Sequence, residues 1–119
     1  MGLDSATVKF LEQIAEGDGK PLHLMAPDEA RAFGSAMAEL AGPAPEMDRV
    51  TEVTLDHTDG EVRLRVLVPI ENPRGVVVYY HGGGWVIGSI DESDTIARKL
   101  AERTSCAVVL VDYRLAPEH

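Results

Sequence analysis

Apolar residues change their spacing along the chain, and each change marks a different kind of element. Over residues 5–15, Val8, Leu11, Ile14 and Ala15 recur every three or four positions with Phe10 beside them, which predicts an amphipathic helix. Asp4 or Ser5 can cap it, and Gly17 and Gly19 end it. A second helix is predicted from Pro27, whose fixed φ suits a first helical position, with Asp28 and Glu29 beside the positive end of its dipole. Its stripe is Ala30, Phe33, Met37 and Leu40. Gly42-Pro43 stops it, and Gly42-Pro43-Ala44-Pro45 reads as a linker.

From Val50 the period drops to two. Thr51, Val53, Leu55 and His57 share one face of a strand, Thr58-Asp59-Gly60 signals a hairpin, and Val62, Leu64, Val66 and Val68 share a face of the return strand. Asn72-Pro73-Arg74-Gly75 is a turn. The alternation then disappears: Val76-Val77-Val78-Tyr79-Tyr80 is apolar throughout, as in a strand covered on both faces. Ile96, Ala97, Leu100 and Ala101 form a stripe on a helix expected to start near Ser93 or Asp94, and residues 106–111 make a second continuously apolar strand. Strand, helix and strand compose a βαβ unit, so the two strands are expected to be parallel with a right-handed connection. The last strand is expected to be unpaired on one side, an apolar edge open to association.

Composition narrows the functions. The 119 residues are 45% hydrophobic and 26% charged, ordinary for a globular domain. Twenty acidic against eleven basic residues give a formal charge of −9, a field that repels nucleic acid and anionic membrane surfaces. The single cysteine, Cys106, excludes an intrachain disulfide and reads as a small buried hydrophobe. Residues 1–7 lack the basic and apolar blocks of a signal peptide, and Ala6 breaks the myristoylation pattern. No stretch has the length of a membrane span, so a cytoplasmic protein without a membrane anchor is expected.

The chemistry concentrates where the strand 76–80 ends, in His81-Gly82-Gly83-Gly84-Trp85. Ligands of open α/β sheets bind outside the carboxyl ends of the strands. Three consecutive glycines lose much backbone entropy on folding, which suits a loop that something must approach closely. Acyl transfer has such a need, because backbone N–H groups aimed at the carbonyl oxygen stabilise the charge it gains, each donor contributing on the order of 10²–10³ in rate. A phosphate loop and a plain tight turn are the alternatives. The first fits poorly: Gly84-Trp85-Val86 stands where a phosphate loop needs Gly-Lys-Ser/Thr, and Ile87 breaks the dinucleotide fingerprint.

Val77-Val78-Tyr79-Tyr80-His81-Gly82-Gly83-Gly84-Trp85-Val86-Ile87-Gly88-Ser89 resembles the corresponding stretch of the hormone-sensitive-lipase-like α/β-hydrolases, a family of carboxylesterases and lipases with an HGGG-type motif. Asp112-Tyr113-Arg114-Leu115-Ala116-Pro117-Glu118-His119 resembles the family's segment after the next parallel strand. The likeness covers residues 50–119 well and residues 1–45 only in kind. It implies an incomplete α/β-hydrolase fold, with a helical cap segment at 1–45 and the N-terminal part of the core at 46–119. It also implies that Gly83 and Gly84 supply oxyanion donors, that Gly82 shapes the turn, that His81 braces the loop and that Trp85 lines the substrate pocket. Family members often carry His-Asp where this chain has Ser93-Asp94; a Ser93 cap on the following helix would account for the replacement.

A triad is missing from the sequence. In this fold its members run Ser, Asp or Glu, then His, so His81 cannot be the base. Ser5, Ser35, Ser89, Ser93 and Ser105 all lie outside any G-x-S-x-G, and no histidine pair has metal-ligand spacing. Arg114 and Glu118 are expected to tie the last turn together, and Asp112 carries no triad role. The chain is thus expected to stop before the nucleophile elbow, serving a serine esterase in full-length form. No cofactor or metal is implied; the expected substrate is a small carboxylic ester, and the expected associations are a homo-oligomer or a C-terminal complementing segment. The alternatives are a non-catalytic truncated remnant, a docking half of a split hydrolase, or a small anion-binding module.

Overall fold

In the computed structural model, residues 2–16 and 20–119 are described. Helix α1 spans Ser5–Glu16 and α2 spans Pro27–Ala38, with single 3₁₀ turns at Leu22–Leu24 and Glu39–Ala41. The Asp4 carboxylate accepts from the Ala6 and Thr7 amides at 3.0 and 3.1 Å, which makes it the cap of α1. At the start of α2 the Glu29 carboxylate accepts from the Ala26 amide at 2.8 Å. Gly17 and Gly19, expected to end α1, lie outside the described residues, as do the side chains of Ile14 and Ala15.

The strands are β1 (Arg49–His57), β2 (Gly60–Val68), β3 (Val76–Tyr80) and β4 (Ala107–Asp112), with α3 (Asp94–Thr104) joining the last two. They form one mixed sheet in the order β1-β2-β4-β3. β1 pairs with β2 and β2 with β4 antiparallel, and β3 pairs with β4 parallel. The expected edge is therefore misplaced. The last strand is interior, between the hairpin and β3, and the parallel edge is β3. Nothing in the period of an apolar strand says which neighbour it takes.

Register decides which face is covered. Val77, Val108 and Leu67 lie side by side in one row, and Tyr79, Leu110 and Arg65 in the next. Both rows face α3, whose Ala97 and Ala101, four residues apart, are small enough for close approach to the sheet. Leu67, Ile90, Ala97, Ala101, Val108 and Leu110 are completely buried there. The apolar residues read as one face of the hairpin, Val53, Leu55, Val62 and Leu64, line the opposite side with Val78, Val109 and Val111. That side is a shallow hollow of about 450 Å³.

Several expected burials fail for this reason. β3 alternates instead of being covered twice: Val76, Val78 and Tyr80 are more than half exposed while Val77 and Tyr79 pack on the core. Ile96 points away from the sheet and is 56% exposed. The helix stripes are largely open too, since Phe10, Leu11, Phe33 and Leu40 are exposed and only Ala30 of α2 is buried. Cys106 sits just before β4, half-buried, with its thiol 3.7 Å from the Thr104 carbonyl. The radius of gyration is 16.6 Å, against about 13.5 Å for a compact domain of this length.

Polar ties fix what apolar burial does not. Arg65, facing α3 and only 15% exposed, donates to Glu52, to Asp91 at 2.6 Å and to Asp94 at 3.0 Å. Arg63 joins Asp91 and Asp112, both at 3.0 Å. Burial opposes ionisation of Asp91, but hydrogen bonds from Arg63 and Arg65 outweigh it and hold the carboxyl below its ordinary range. The Gly42–Pro45 stretch lies along α3, with Lys99 donating to the Ala41 carbonyl and Arg98 to the Pro45 carbonyl.

Candidate functional site

Parallel pairing of Tyr80 with Val111 puts the chain after β3 beside the chain after β4. His81 and Tyr113 meet there, their rings stacked at 4.3 Å and 15° apart. The Tyr113 hydroxyl donates to the His81 carbonyl at 2.6 Å. His81 is buried, and its Nδ1 lies 2.8 Å from the Gly82 carbonyl. A carbonyl can only accept, so the imidazole proton belongs on Nδ1. Its Nε2 is buried without a partner among the described residues.

The glycines that follow turn sharply. Gly83 has φ 128° and Gly84 φ 59°. The Gly83 carbonyl accepts from the Val86 and Ile87 amides at 3.1 and 3.0 Å, closing a tight turn. A Cβ on Gly83 would lie 1.9 Å from the Ile87 carbonyl oxygen, so only glycine fits. Trp85 also has a positive φ, 62°, a conformation that strains a side-chain-bearing residue by about 1–3 kcal/mol. The Ala116 amide donates to the Trp85 carbonyl at 2.8 Å and helps hold it there. Among the described residues, the amides of Gly82, Gly83 and Gly84 donate to no backbone carbonyl.

Two hollows flank this turn. One of about 280 Å³ is bounded by His81, Gly82, Gly83, Gly84, Trp85 and Tyr113. The other, about 300 Å³, lies toward the N-terminal segment, with Leu22, Met25 and Ala30 facing Gly83, Gly84 and Ile87. Gly83 and Gly84 thus border both. Trp85 is 75% exposed and walls the first hollow from its rim.

The loop is held by residues that the sequence reading did not single out. Gly88, with φ 100°, packs so tightly that a Cβ there would lie 2.3 Å from His81 Nδ1. Arg31 of α2 donates to the Val86 and Ala116 carbonyls and to both oxygens of Glu118. The expected Arg114–Glu118 tie is replaced: Glu118 takes Arg31, and Arg114 donates to the Asp59 carbonyl. The Arg31 guanidinium lowers the Glu118 carboxyl to about 2. Gly88 could have been suspected from its place in the glycine-rich run, whereas Arg31 left no signal in its own neighbourhood.

Other candidates separate from the site. Ser93 stands at the N-cap of α3, but its side chain makes no capping bond, so capping does not account for the serine. Ser89 instead accepts from the Glu92 amide at 3.2 Å. Among the described residues no cluster of His, Cys, Asp or Glu could hold a metal ion, and no helix is long and apolar enough to cross a membrane.

Residues 77–119 match a family described as having the alpha/beta hydrolase fold. An ethyl acetate hydrolase of Pseudomonas putida is 36% identical over 99% of this chain and 40% of its own length. A carboxylesterase of Mycobacterium tuberculosis is 39% identical over 86% of this chain and 34% of its own. A hyperthermophilic esterase from Pyrobaculum calidifontis superposes with a TM-score of 0.86 at 35% identity, covering 100% of this chain and 39% of that one. The chain therefore spans 40% or less of the length of these relatives.

Proposed function

The chain belongs to the hormone-sensitive-lipase-like α/β-hydrolases, and on that premise we propose that it supplies the oxyanion-stabilising loop of a carboxylic ester hydrolase. In this reading residues 46–119 are part of the catalytic core and residues 1–45 part of a cap over it. A serine hydroxyl attacks the acyl carbon as a base from another segment takes its proton and later returns it to the leaving alcohol; the carbonyl π electrons move onto oxygen, and the Gly83 and Gly84 amides bind the resulting anion. Collapse of the tetrahedral species expels the alcohol and leaves an acyl-enzyme for water to cleave.

The observation that carries this reading is the run of three glycine amides without a backbone acceptor among the described residues, two of them, Gly83 and Gly84, on positive-φ residues at the carboxyl end of β3. Donors kept out of the sheet ladder are free to meet an oxyanion, and a turn fixed in advance needs little reorganisation when charge develops. His81 acts beneath the loop: its Nδ1–H bond to the Gly82 carbonyl and its stacking on Tyr113 hold the turn. Trp85 borders the substrate side.

Residues 1–119 contain no Gly-x-Ser-x-Gly, so the attacking serine must come from another segment. A fluorophosphonate that modifies activated serines is expected to label a polypeptide in which residues 1–119 are continued by such a segment, and to leave residues 1–119 alone unlabelled. Labelling of the 119-residue chain itself would overturn the reading. So would full esterase activity after Gly83→Ala in the extended polypeptide, since a Cβ 1.9 Å from the Ile87 carbonyl oxygen forces open the turn that presents both amides.

A further inference from the structure

The guanidinium of Arg31 lies where three segments meet. Its Nε donates to the Val86 carbonyl at 2.9 Å, and its Nη2 donates to the Ala116 carbonyl at 3.0 Å. Nη1 and Nη2 also hold the Glu118 carboxylate in a forked pair at 2.9 and 2.8 Å. Val86 follows Gly84 by two residues, and the Ala116 amide bonds back to the Trp85 carbonyl. The side chain therefore grips the backbone both after the glycine turn and in the segment that supports it. Because the Val86 and Ile87 amides both bond to the Gly83 carbonyl, displacement of Val86 is carried directly to Gly83.

We propose that Arg31 is a positioning residue: from the N-terminal helix α2 it fixes the turn that presents the Gly83 and Gly84 amides, and so couples the N-terminal segment to the oxyanion loop. The proposal rests on the oxyanion reading for the use made of the turn, but its structural content can be tested alone. The arrangement requires arginine. A planar fork can satisfy a carboxylate edge and two carbonyls from fixed directions, whereas the lysine ammonium is a single point charge on a flexible stem. Asp28, 3.5 Å away one helical turn earlier and almost fully exposed, adds only a weak contact.

The test is a comparison of ¹H–¹⁵N spectra and amide exchange in the wild-type chain, Arg31→Gln, Arg31→Lys and Glu118→Gln. Arg31→Gln is expected to move the Gly83 and Gly84 resonances and to speed exchange of the Ile87 amide about tenfold, the effect of losing one charge-assisted bond. Amides of the β1–β2 hairpin are expected to change less than about twofold. Arg31→Lys keeps the charge and is expected to move the same glycine resonances nearly as far. Glu118→Gln, which leaves the two carbonyl bonds in place, moves them less. If Arg31→Gln does not fold, the two milder variants support the same comparison.

A lowered melting temperature with the Gly83 and Gly84 resonances and Ile87 exchange unchanged would overturn the proposal, leaving Arg31 a stabilising ion pair only. Full rescue of the glycine resonances by Arg31→Lys would do the same. If the resonances move but the extended polypeptide resists fluorophosphonate, the oxyanion reading fails while the positioning role stands.

Discussion

Alanine placed at successive glycines of the loop should give very different results, because the space beside each differs. At Gly84 the backbone is left-handed, with φ 59°, but an added Cβ meets nothing within 4 Å. Gly84→Ala then costs only the left-handed conformation, about 1–2 kcal/mol. At Gly83 the Cβ would lie 1.9 Å from the Ile87 carbonyl oxygen and 2.6 Å from its carbon, and backbone cannot swing aside as a side chain can. Relief requires opening the turn, with loss of the Val86 and Ile87 bonds to the Gly83 carbonyl. At about 0.5–1.5 kcal/mol per bond on top of the conformational strain, Gly83→Ala should cost about 2–5 kcal/mol. For 119 residues each kcal/mol corresponds to about 4 °C in melting temperature. Gly83→Ala is therefore expected to melt roughly 8–20 °C below wild type and Gly84→Ala roughly 4–8 °C below. Gly82→Ala, with ordinary φ and open space, serves as the control and should stay within about 0.5 kcal/mol. Thermal unfolding followed by circular dichroism reads all three. If Gly83→Ala proved no worse than Gly84→Ala, the close packing of the turn against Ile87 would be refuted.

Other perturbations reach the supports of the loop and the sheet. Tyr113→Phe keeps the ring stacked on His81 but removes the donor to its carbonyl, and urea titration should show a loss of about 1 kcal/mol. Arg65→Met leaves Glu52, Asp91 and Asp94 without their shared cation, and a loss of about 1–3 kcal/mol is expected, reduced from the value for a fully buried pair because Glu52 and Asp91 remain partly in water. An unchanged urea midpoint would make that network ornamental. The Glu118 carboxyl is lowered from 4.5 to about 2 by Arg31, so its contribution is complete above about 4.5 and declines as pH falls toward 2. The melting-temperature gap between wild type and Glu118→Gln should be constant from neutral pH down to about 5 and then narrow; a gap that widens on acidification would contradict the pairing.

Period was legible in the sequence where one side of an element faces one environment. The hairpin, α3 and the start of α2 at Pro27 follow the expected residues, because alternation and helical spacing are local consequences of backbone geometry. What the period could not say was which side another element would cover. The alternation of Val62, Leu64 and Val66 is correct, yet α3 covers the face that carries Arg65 and Leu67. An arginine there reads as solvent-facing until its carboxylate partners on the 91–94 segment are in place. The glycine loop itself was conspicuous, since three adjacent glycines are rare for an entropic reason. Its supports were not: Arg31 reaches Glu118 across 87 positions, and Gly88 matters through a contact with His81 that spacing does not express.

The order β1-β2-β4-β3 has a consequence for how the sheet comes into being. Among the described residues the hairpin and β3 have no ladder in common; each is joined to β4, Ala107–Asp112, the last of these four strands to be made. While the polypeptide is still emerging from a ribosome, the earlier strands are therefore two separate pieces awaiting a wedge. That wedge brings Val108 and Leu110, the central apolar residues of the core, at the same moment as the missing ladders. Closure joins residues as far apart as Arg63 and Asp112, a long-range pairing that should slow the assembly of these four strands.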